Sequence, residues 1–319
     1  MSKFAFLFPG QGAQAVGMLG GFAGNPVVAQ TVAEASDALG FDLGKLIAEG
    51  PKEQQDLTTN TQPIMLTAAV AVYRAWIAAG GPAPSVVAGH SLGEYSALVA
   101  AGVLAFRDAV PLVRFRAQAM QEAVPVGQGG MAVILGLQAA DVRAVCLEAA
   151  ALEDGSVVEP VNFNEPTQIV IAGHNAAVER ACELAKARGA KRAMKLAVSA
   201  PFHSSLLKPA SDRLREYMAG ITFSTPQIDV INNVDVAVSS DPTQIRDALV
   251  RQAAGPVRWV ETMQGMAADG VTSVIECAPS KVLIGMAKRI DPALAGDALL
   301  DQAALERVLA AMQAAPAAA

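Results

Sequence analysis

The stretch VVAGHSLGEYSAL, residues 86–98, passes from β-branched residues through a glycine-flanked turn into helix-forming residues. Its Gly89, Ser91 and Gly93 give the pattern G-x-S-x-G, which is typical of a nucleophile elbow between a strand and a helix. Small residues at both glycine positions let the backbone pass closely, and the serine Oγ is left free at the end of the strand. The stretch predicts an α/β fold with Ser91 as a candidate nucleophile. The alternative is a serine selected only for its size in a tight turn.

The segments around this turn alternate between predicted strands and helices. Residues 4–8 predict a short buried strand, residues 60–79 a long core helix, and Phe106–Glu122 a helix with one apolar stripe. Strands that alternate with helices favour a parallel sheet covered by helices. We therefore expect a core that resembles the α/β-hydrolases.

Residues 128–198 follow a different order. Strands are predicted at 131–137, 157–163, 168–172 and 191–198, and helices at 139–151 and 175–188. The order β-α-β-β-α-β is that of a ferredoxin-like unit. We expect a ferredoxin-like subdomain at 128–198, inserted into a catalytic domain formed by 1–127 and 199–319.

Composition excludes several classes of protein. The 319 residues carry a formal net charge of −6 and are 52% hydrophobic, so a general nucleic-acid binder is excluded and any basic site must be local. No apolar run approaches the roughly 18 residues of a membrane span, and the first apolar run ends at Pro9, too early for a signal peptide. Cys146, Cys182 and Cys277 lack metal or redox spacing, which favours a reduced cytoplasmic location.

A serine nucleophile needs a base, and the chain has three histidines. His90 adjoins Ser91, where neighbouring side chains diverge, so we expect it to be packed or to line a pocket. His174 begins a helix of the insert, where a capping role is expected. His203 lies on a loop between a strand and a helix, where bases are commonly found, and is therefore the predicted base. No carboxylate stands where a third triad member is expected, and a carbonyl oxygen could instead accept from Nδ1–H.

Motifs along almost the whole chain resemble one known family. In chain order they are FPGQGAQ (8–14), GHSLGEYSAL (89–98), RAQAMQEAVP (116–125), VNFN (161–164), IVIAG (169–173), SAPFHS (199–204), INNVDV (231–236) and GPVRW (255–259). Together they resemble the malonyl-CoA:acyl-carrier-protein transacylases of bacterial fatty acid synthesis. The fold implied by this resemblance is an α/β-hydrolase-like core with an inserted ferredoxin-like subdomain.

The resemblance implies roles for individual residues of this chain. Ser91 would be the acylated nucleophile, His203 the base, and Gln252 the residue whose backbone carbonyl holds that base. The backbone N–H groups of Gln11 and Leu92 would form the oxyanion hole. This assignment would explain why the sequence offers no acidic third member.

Arg116 would bind the free carboxylate of the malonyl group. A planar guanidinium can hold a carboxylate through two parallel hydrogen bonds, which supports the assignment on chemical grounds. Other arginines are open alternatives on residue type alone: Arg74, Arg107 and Arg114. Further residues would line the acyl pocket: His90, Asn162 and Phe202. The bulky Phe202 resembles the residue type associated with malonyl rather than methylmalonyl selectivity.

The implied reaction transfers malonyl from malonyl-CoA to the thiol of holo acyl carrier protein through a malonyl-serine. Coenzyme A is then a substrate, neither a metal nor a cofactor is required, and a monomer is expected. A basic stretch could dock an acidic carrier protein, bind coenzyme A phosphates, or be a solvated helix end: Lys186, Arg188, Lys191 and Arg192. The alternatives are a serine thioesterase or esterase, a discrete polyketide-synthase acyltransferase, and a non-catalytic carrier-protein scaffold.

Three stretches depart from the pattern of the family. Residues 253–255 (AAG) follow Gln252 and could loosen the wall near His203, 278–280 (APS) replace a glycine-rich turn, and 165–167 (EPT) replace a turn of smaller residues. None of them removes a predicted catalytic group.

Overall fold

The computed structural model describes residues 3–198 and 200–314 and contains two β-sheets. Its strands are β1 Lys3–Phe8, β2 Val86–Gly89, β3 Gly129–Leu135, β4 Val158–Glu165, β5 Gln168–His174, β6 Arg192–Lys195, β7 Asp229–Ile231, β8 Val271–Glu276 and β9 Ala295–Ala298. Its α-helices are α1 Pro26–Leu39, α2 Leu43–Glu49, α3 Lys52–Gln55, α4 Thr58–Ala78, α5 Gly93–Ala100, α6 Phe106–Glu122, α7 Ala139–Ala151, α8 Asn175–Ala187, α9 Lys208–Met218, α10 Pro242–Ala253, α11 Trp259–Ala268, α12 Val282–Ile290 and α13 Gln302–Ala314.

The larger sheet is parallel, with strand order β7-β2-β1-β8-β9. Phe8 pairs with Gly89, so β1 and β2 end side by side. The loops that follow them, PGQG and HSLG, therefore emerge together at the carboxyl edge of the sheet. Ligand sites of open parallel sheets lie at this edge.

The smaller sheet is antiparallel, with strand order β4-β5-β3-β6. In the order of the chain segment this is second, third, first and fourth strand, with α7 and α8 as the connecting helices, which is the ferredoxin-like arrangement. Ile134, Val145, Ile171 and Val178 belong to a separate apolar core between this sheet and its helices. The predicted α/β class with a ferredoxin-like unit is confirmed, whereas the boundaries at 127/128 and 198/199 stay a prediction.

The core of the larger layer is built on β1 and α4. The ring of Phe6 makes edge contacts with Tyr73 and Trp76, with ring centres 5.9 and 5.5 Å apart. The predicted helix at 60–79 is confirmed and begins two residues earlier, at Thr58. None of the helices in 3–198 and 200–314 is long and apolar enough to cross a membrane.

Two predicted elements differ from the structure. The predicted strand 191–198 is shorter in the structure, where β6 covers Arg192–Lys195, and Leu196 and Val198 beyond its end line a cavity. The predicted helix over 205–218 is a 3₁₀ turn, Ser205–Leu207, followed by α9.

Candidate active site

Ser91 stands on a strained turn between β2 and α5. Its φ of 53° lies in the left-handed region, which non-glycine residues seldom adopt. A Cβ on Gly89 would lie 1.8 Å from the carbonyl carbon of Gly93, and a Cβ on Gly93 would lie 1.9 Å from the carbonyl oxygen of Phe8. Both positions therefore require glycine, and the predicted nucleophile elbow is present.

Asn233, which follows β7, braces this turn. Its Oδ1 accepts from the Ser91 N–H at 2.7 Å, and its Nδ2 donates to the Gly89 carbonyl at 2.7 Å. The side chain thus holds the strained segment on both sides of His90, and a strained backbone persists only where surrounding contacts hold it in this way. No local pattern in the sequence indicates this role, since 142 positions separate Asn233 from Ser91.

The imidazole of His203 reaches the hydroxyl of Ser91. Nε2 lies 2.7 Å from Oγ, while Nδ1 lies 2.9 Å from the Gln252 carbonyl and 3.2 Å from the Gly255 carbonyl. Carbonyl oxygens only accept hydrogen bonds, so Nδ1 carries the proton and Nε2 offers its lone pair to Oγ. The geometry needs no acidic third residue to set the tautomer.

Burial keeps His203 neutral. The side chain is 4% exposed, and burial lowers the pKa of His203 to about 3, with the positive charge of Arg116 adding to the effect. At neutral pH the imidazole is therefore unprotonated and free to accept a proton.

Arg116 projects from α6 to the same hydroxyl. Its guanidinium donates to Ser91 Oγ at 3.1 Å, to Gln252 Oε1 at 2.9 Å and to Gln62 Oε1 at 2.8 Å. The side chain is 1% exposed, and its Nε has no hydrogen-bond partner among the described residues. Burial lowers its pKa, but a guanidinium stays charged in proteins.

The rival arginines lie elsewhere. Arg74 pairs with Glu34 at 2.6 Å, Arg114 stacks over the ring of Phe41, and Arg107 is exposed at the start of α6. Among the four candidates, only Arg116 contacts Ser91.

Glu94, on the first turn of α5, is a buried carboxylate to which the sequence pattern gives no role. Its Oε2 accepts from the Asn233 N–H at 2.9 Å and from Gln252 Nε2 at 2.9 Å. Gln252 Nε2 also donates to the Ser91 carbonyl at 2.9 Å. Gln252 thus contacts His203 through its backbone, and Ser91, Arg116 and Glu94 through its side chain.

A cavity of about 220 Å³ opens onto Ser91 and His203. The predicted substrate-binding residues line it, namely His90, Arg116, Asn162 and Phe202, and so does Gln11, which was predicted for the oxyanion hole. His90 Nε2 lies 2.7 Å from Asn164 Oδ1, and its ring packs on Trp259, so His90 is a wall residue and does not reach the nucleophile as a base. Asn162 Oδ1 is buried and has no hydrogen-bond partner within the described residues.

The loop after β1 packs directly on the elbow. A Cβ on Gly10 would lie 2.5 Å from the His90 carbonyl oxygen. The side-chain oxygen of Gln11 accepts from Thr58 at 2.9 Å and from Gln62 at 3.3 Å, which fixes the loop to α4. The backbone N–H groups of Gln11 and Leu92 donate to no other residue in 3–198 and 200–314.

The departures from the family pattern have local explanations. Gly255 supplies a carbonyl to His203, and a Cβ there would lie 2.7 Å from the Arg251 carbonyl oxygen, so the wall is tightly packed at Gly255. Glu165 forms an ion pair with Arg289 at 2.6 Å, and Ser280 Oγ accepts from the Val282 N–H at the start of α12.

Two of the predicted docking residues lie at the edge of the smaller sheet, and the other two lie at the end of α8. Within the described residues β6 pairs with β3 alone, and both Lys191 and Arg192 are exposed there. Arg188 pairs with Glu148, and Lys186 lies in the last turn of α8. The chain beyond β6 supplies Leu196 and Val198 to the cavity. Among the described residues, no group of three or more His, Cys, Asp or Glu could hold a metal ion.

Known proteins share this architecture. The model of the acyl transferase domain family matches residues 5–294. The chain belongs to the acyl transferase family. It is 54% identical over 310 residues to the malonyl CoA-acyl carrier protein transacylase of Salmonella typhimurium, covering 97% of this chain and 99% of that protein. The resemblance predicted from the motifs is confirmed.

Solved structures agree with the sequence relatives. An acyl-carrier-protein S-malonyltransferase from Burkholderia pseudomallei is 67% identical, with a TM-score of 0.94 and coverage of 97% of this chain and 99% of that chain. A complex of a type II PKS acyl-carrier protein with its malonyl-transacylase is 51% identical, with a TM-score of 0.95 and coverage of 97% and 100%. This acyl transferase thus resembles them over nearly its whole length.

Proposed function

We propose that the protein transfers a malonyl group from malonyl-CoA to the phosphopantetheine thiol of an acyl carrier protein through a malonyl ester on Ser91. The observation that carries this proposal is that Ser91 Oγ lies 2.7 Å from the unprotonated nitrogen of His203 and 3.1 Å from the guanidinium of Arg116. A nucleophile, a base and a carboxylate-binding cation thus meet at one atom. The names of the relatives, malonyl transacylases, support the same acyl group.

The first half-reaction loads Ser91. As Oγ attacks the thioester carbonyl carbon, Nε2 of His203 takes the hydroxyl proton. The carbon–sulfur bond breaks, the proton passes from Nε2 to the departing sulfur, and malonate remains as an ester on Oγ. The N–H groups of Gln11 and Leu92 donate to no other described residue and lie on the loop and turn around Ser91, so they are the proposed donors to the oxyanion.

The second half-reaction reverses these roles. His203 takes the proton of the carrier thiol, and the sulfur attacks the ester carbon. The bond to Oγ breaks, and Oγ regains a proton from Nε2. The proposed steps use only groups of this chain and of the two substrates, and neither a resident cofactor nor a metal takes part. Because the malonyl group passes through a covalent ester on Ser91, ping-pong kinetics are expected.

Arg116 is the proposed site of the malonyl carboxylate. In a malonyl group the carboxylate carbon is two bonds from the thioester carbon, so a group attacked by Ser91 places its anion next to the guanidinium. Binding there offsets the charge of Arg116, which otherwise lowers the pKa of His203. A bound malonyl group therefore strengthens the base that activates Ser91.

The carrier protein is proposed to dock on Lys186, Arg188, Lys191 and Arg192. The basic edge strand β6 runs directly into residues that line the cavity, so a partner held there would have its thiol arm near Ser91. Positive charge at this edge suits an acidic partner. The solved complex of a related malonyl-transacylase with an acyl-carrier protein supports such a partner. A monomeric state, a cytoplasmic location and a role in fatty acid rather than polyketide synthesis stay predictions.

Intact-mass measurement separates this function from that of a thioesterase. The protein is mixed with malonyl-CoA, with and without holo acyl carrier protein, and the intact masses of both proteins are measured. Transfer predicts a malonyl mass on the enzyme that moves to the carrier. Release of free malonate with no malonyl-carrier would instead identify a hydrolase.

A further inference from the structure

A second cavity lies on the other side of Glu94. It measures about 700 Å³ and shares no lining residue with the cavity that holds Ser91. Its walls come from α9, α10 and the segment after β7, and Glu94 lines it together with Leu98 and Val230. The cavity contains no group that the acyl-transfer steps use.

Glu94 connects this cavity to the elbow. The residue is 2% exposed, and its Oε2 accepts both from the Asn233 N–H and from Gln252 Nε2. Its Oε1 makes no hydrogen bond with any residue in 3–198 and 200–314, although the residue borders the cavity. One oxygen of this buried carboxylate therefore binds two residues of the active site, while the residue also borders a cavity. Buried polar groups are normally fully hydrogen-bonded, so this arrangement indicates a function besides packing.

We propose that Glu94 is a positioning residue for acyl transfer, and that its ionised carboxylate holds Gln252 and Asn233 in place while the second cavity gives solvent protons access to it. Gln252 carries the carbonyl that orients His203 and the amide oxygen that receives Arg116. Asn233 holds the strained Ser91. One carboxylate therefore supports the base, the carboxylate-binding arginine and the nucleophile. The reaction affected is that of the proposed function.

The surroundings of Glu94 allow its charge to change near neutral pH. Burial raises the pKa of Glu94 to about 7, against hydrogen bonds from Gln252 and Asn233 and the charge of Arg116, which lower it. The charged and titratable groups around the carboxylate and its cavity are Tyr95, Arg116, His203, Arg215, Asp235, Arg246, Asp247 and Arg251. In the absence of a bound acyl group, the pKa of His203 is lowered to about 3, so its own protonation lies well below this transition.

The test measures the rate of Ser91 acylation against pH by rapid-quench mass spectrometry, with malonyl-CoA and separately with 4-nitrophenyl acetate. In the native enzyme we expect both rates to fall as pH falls through about 7. Glu94→Gln keeps an acceptor oxygen but removes the charge, so this acid limb should disappear. Its rate above neutral pH should be about tenfold lower, as for the loss of a charge-assisted hydrogen bond.

Two further variants keep the result interpretable. Glu122→Gln makes the same chemical change on the exposed surface of α6 and should leave the profile unchanged. Glu94→Asp keeps the charge but withdraws it by one methylene, so it should retain the acid limb with a lower rate, even if Glu94→Gln fails to fold.

An unchanged acid limb and rate in Glu94→Gln would overturn the inference. So would an acylation rate in Glu94→Asp equal to that of the native enzyme. The aryl acetate reports on Ser91 whatever the natural acyl donor is. If malonyl-CoA fails to acylate the native enzyme while the aryl acetate succeeds, the proposed function is wrong and the role of Glu94 is still decided.

Discussion

Arg116 and His203 contact the same atom, Oγ of Ser91, at 3.1 and 2.7 Å. A guanidinium can only donate, so Oγ accepts from Arg116 and its own proton is directed to the unprotonated nitrogen of His203. The same closeness places a positive charge next to the base and disfavours its protonation. An acyl group that carries an anion removes this conflict, whereas a neutral acyl group does not.

His203 is expected to control both half-reactions. His203→Gln removes the proton acceptor while keeping a polar side chain of similar length, so Ser91 acylation by malonyl-CoA should slow by about 10²–10⁴-fold, the range for a general base. Stopped reactions analysed by intact mass measure this rate. The matched control is His174→Gln, because His174 is the last residue of β5 and lies directly before α8 in the smaller sheet's layer. This variant should acylate at the native rate. Equal rates in native enzyme and His203→Gln would remove His203 from the mechanism.

Arg116 is expected to select the anionic acyl group. Arg116→Ala should reduce acylation by malonyl-CoA about 100-fold or more, as for truncation of one partner of a buried ion pair, and should reduce acylation by acetyl-CoA far less. Arg74→Ala, which removes an arginine from the neighbouring helix α4, should change neither rate. The ratio of the two kcat/KM values measures the selectivity. Parallel losses with both thioesters would count against carboxylate binding by Arg116.

Lys191 and Arg192 are expected to affect only the carrier half-reaction. The double variant Lys191→Glu with Arg192→Glu reverses two exposed charges at the start of the edge strand β6, so transfer to holo carrier protein should slow by about tenfold at low salt and less at high salt. Loading of Ser91 from malonyl-CoA should be unchanged. The control is the double variant Lys45→Glu with Lys208→Glu, which makes the same change of net charge on α2 and α9. Transfer as fast as in the native enzyme would assign docking to another surface.

Glu94 is expected to lower stability as it ionises. Its folded pKa of about 7 is raised from 4.5, so the stability that this group contributes is present below pH 4.5 and is lost as pH rises through about 7. Chemical denaturation of native enzyme and Glu94→Gln across this range should show the native enzyme losing stability relative to the variant, although the variant is less active. A constant difference in the free energy of unfolding would contradict the titration.

Local patterns in the sequence were sufficient to predict the elbow. G-x-S-x-G between a β-branched run and helix formers depends on contacts within a few residues, and the structure places Ser91 as predicted. His203 followed by elimination among three histidines. Helix α1 was missed although its signals are present, since Asn25 caps its start, Pro26 occupies its first position and Gly40 ends it with φ 74°.

Contacts between distant segments could not be predicted in this way. The Gln252 carbonyl was expected only from resemblance to a family, and the bond between Glu94 and Asn233 joins residues 139 positions apart. Glutamate and asparagine are residue types that mostly lie on the surface, so the sequence alone gives no reason to place Glu94 and Asn233 inside. Their burial and contacts in the folded chain show that they support Ser91.

The most direct test of acyl transfer through Ser91 is peptide mass spectrometry of the enzyme after brief exposure to malonyl-CoA, with Ser91→Ala treated in parallel. The mechanism predicts one malonyl group on the peptide that contains Ser91 in the native enzyme, none in Ser91→Ala, and its loss when holo carrier protein is added. Malonyl transfer to the carrier that proceeds at the native rate in Ser91→Ala would contradict it.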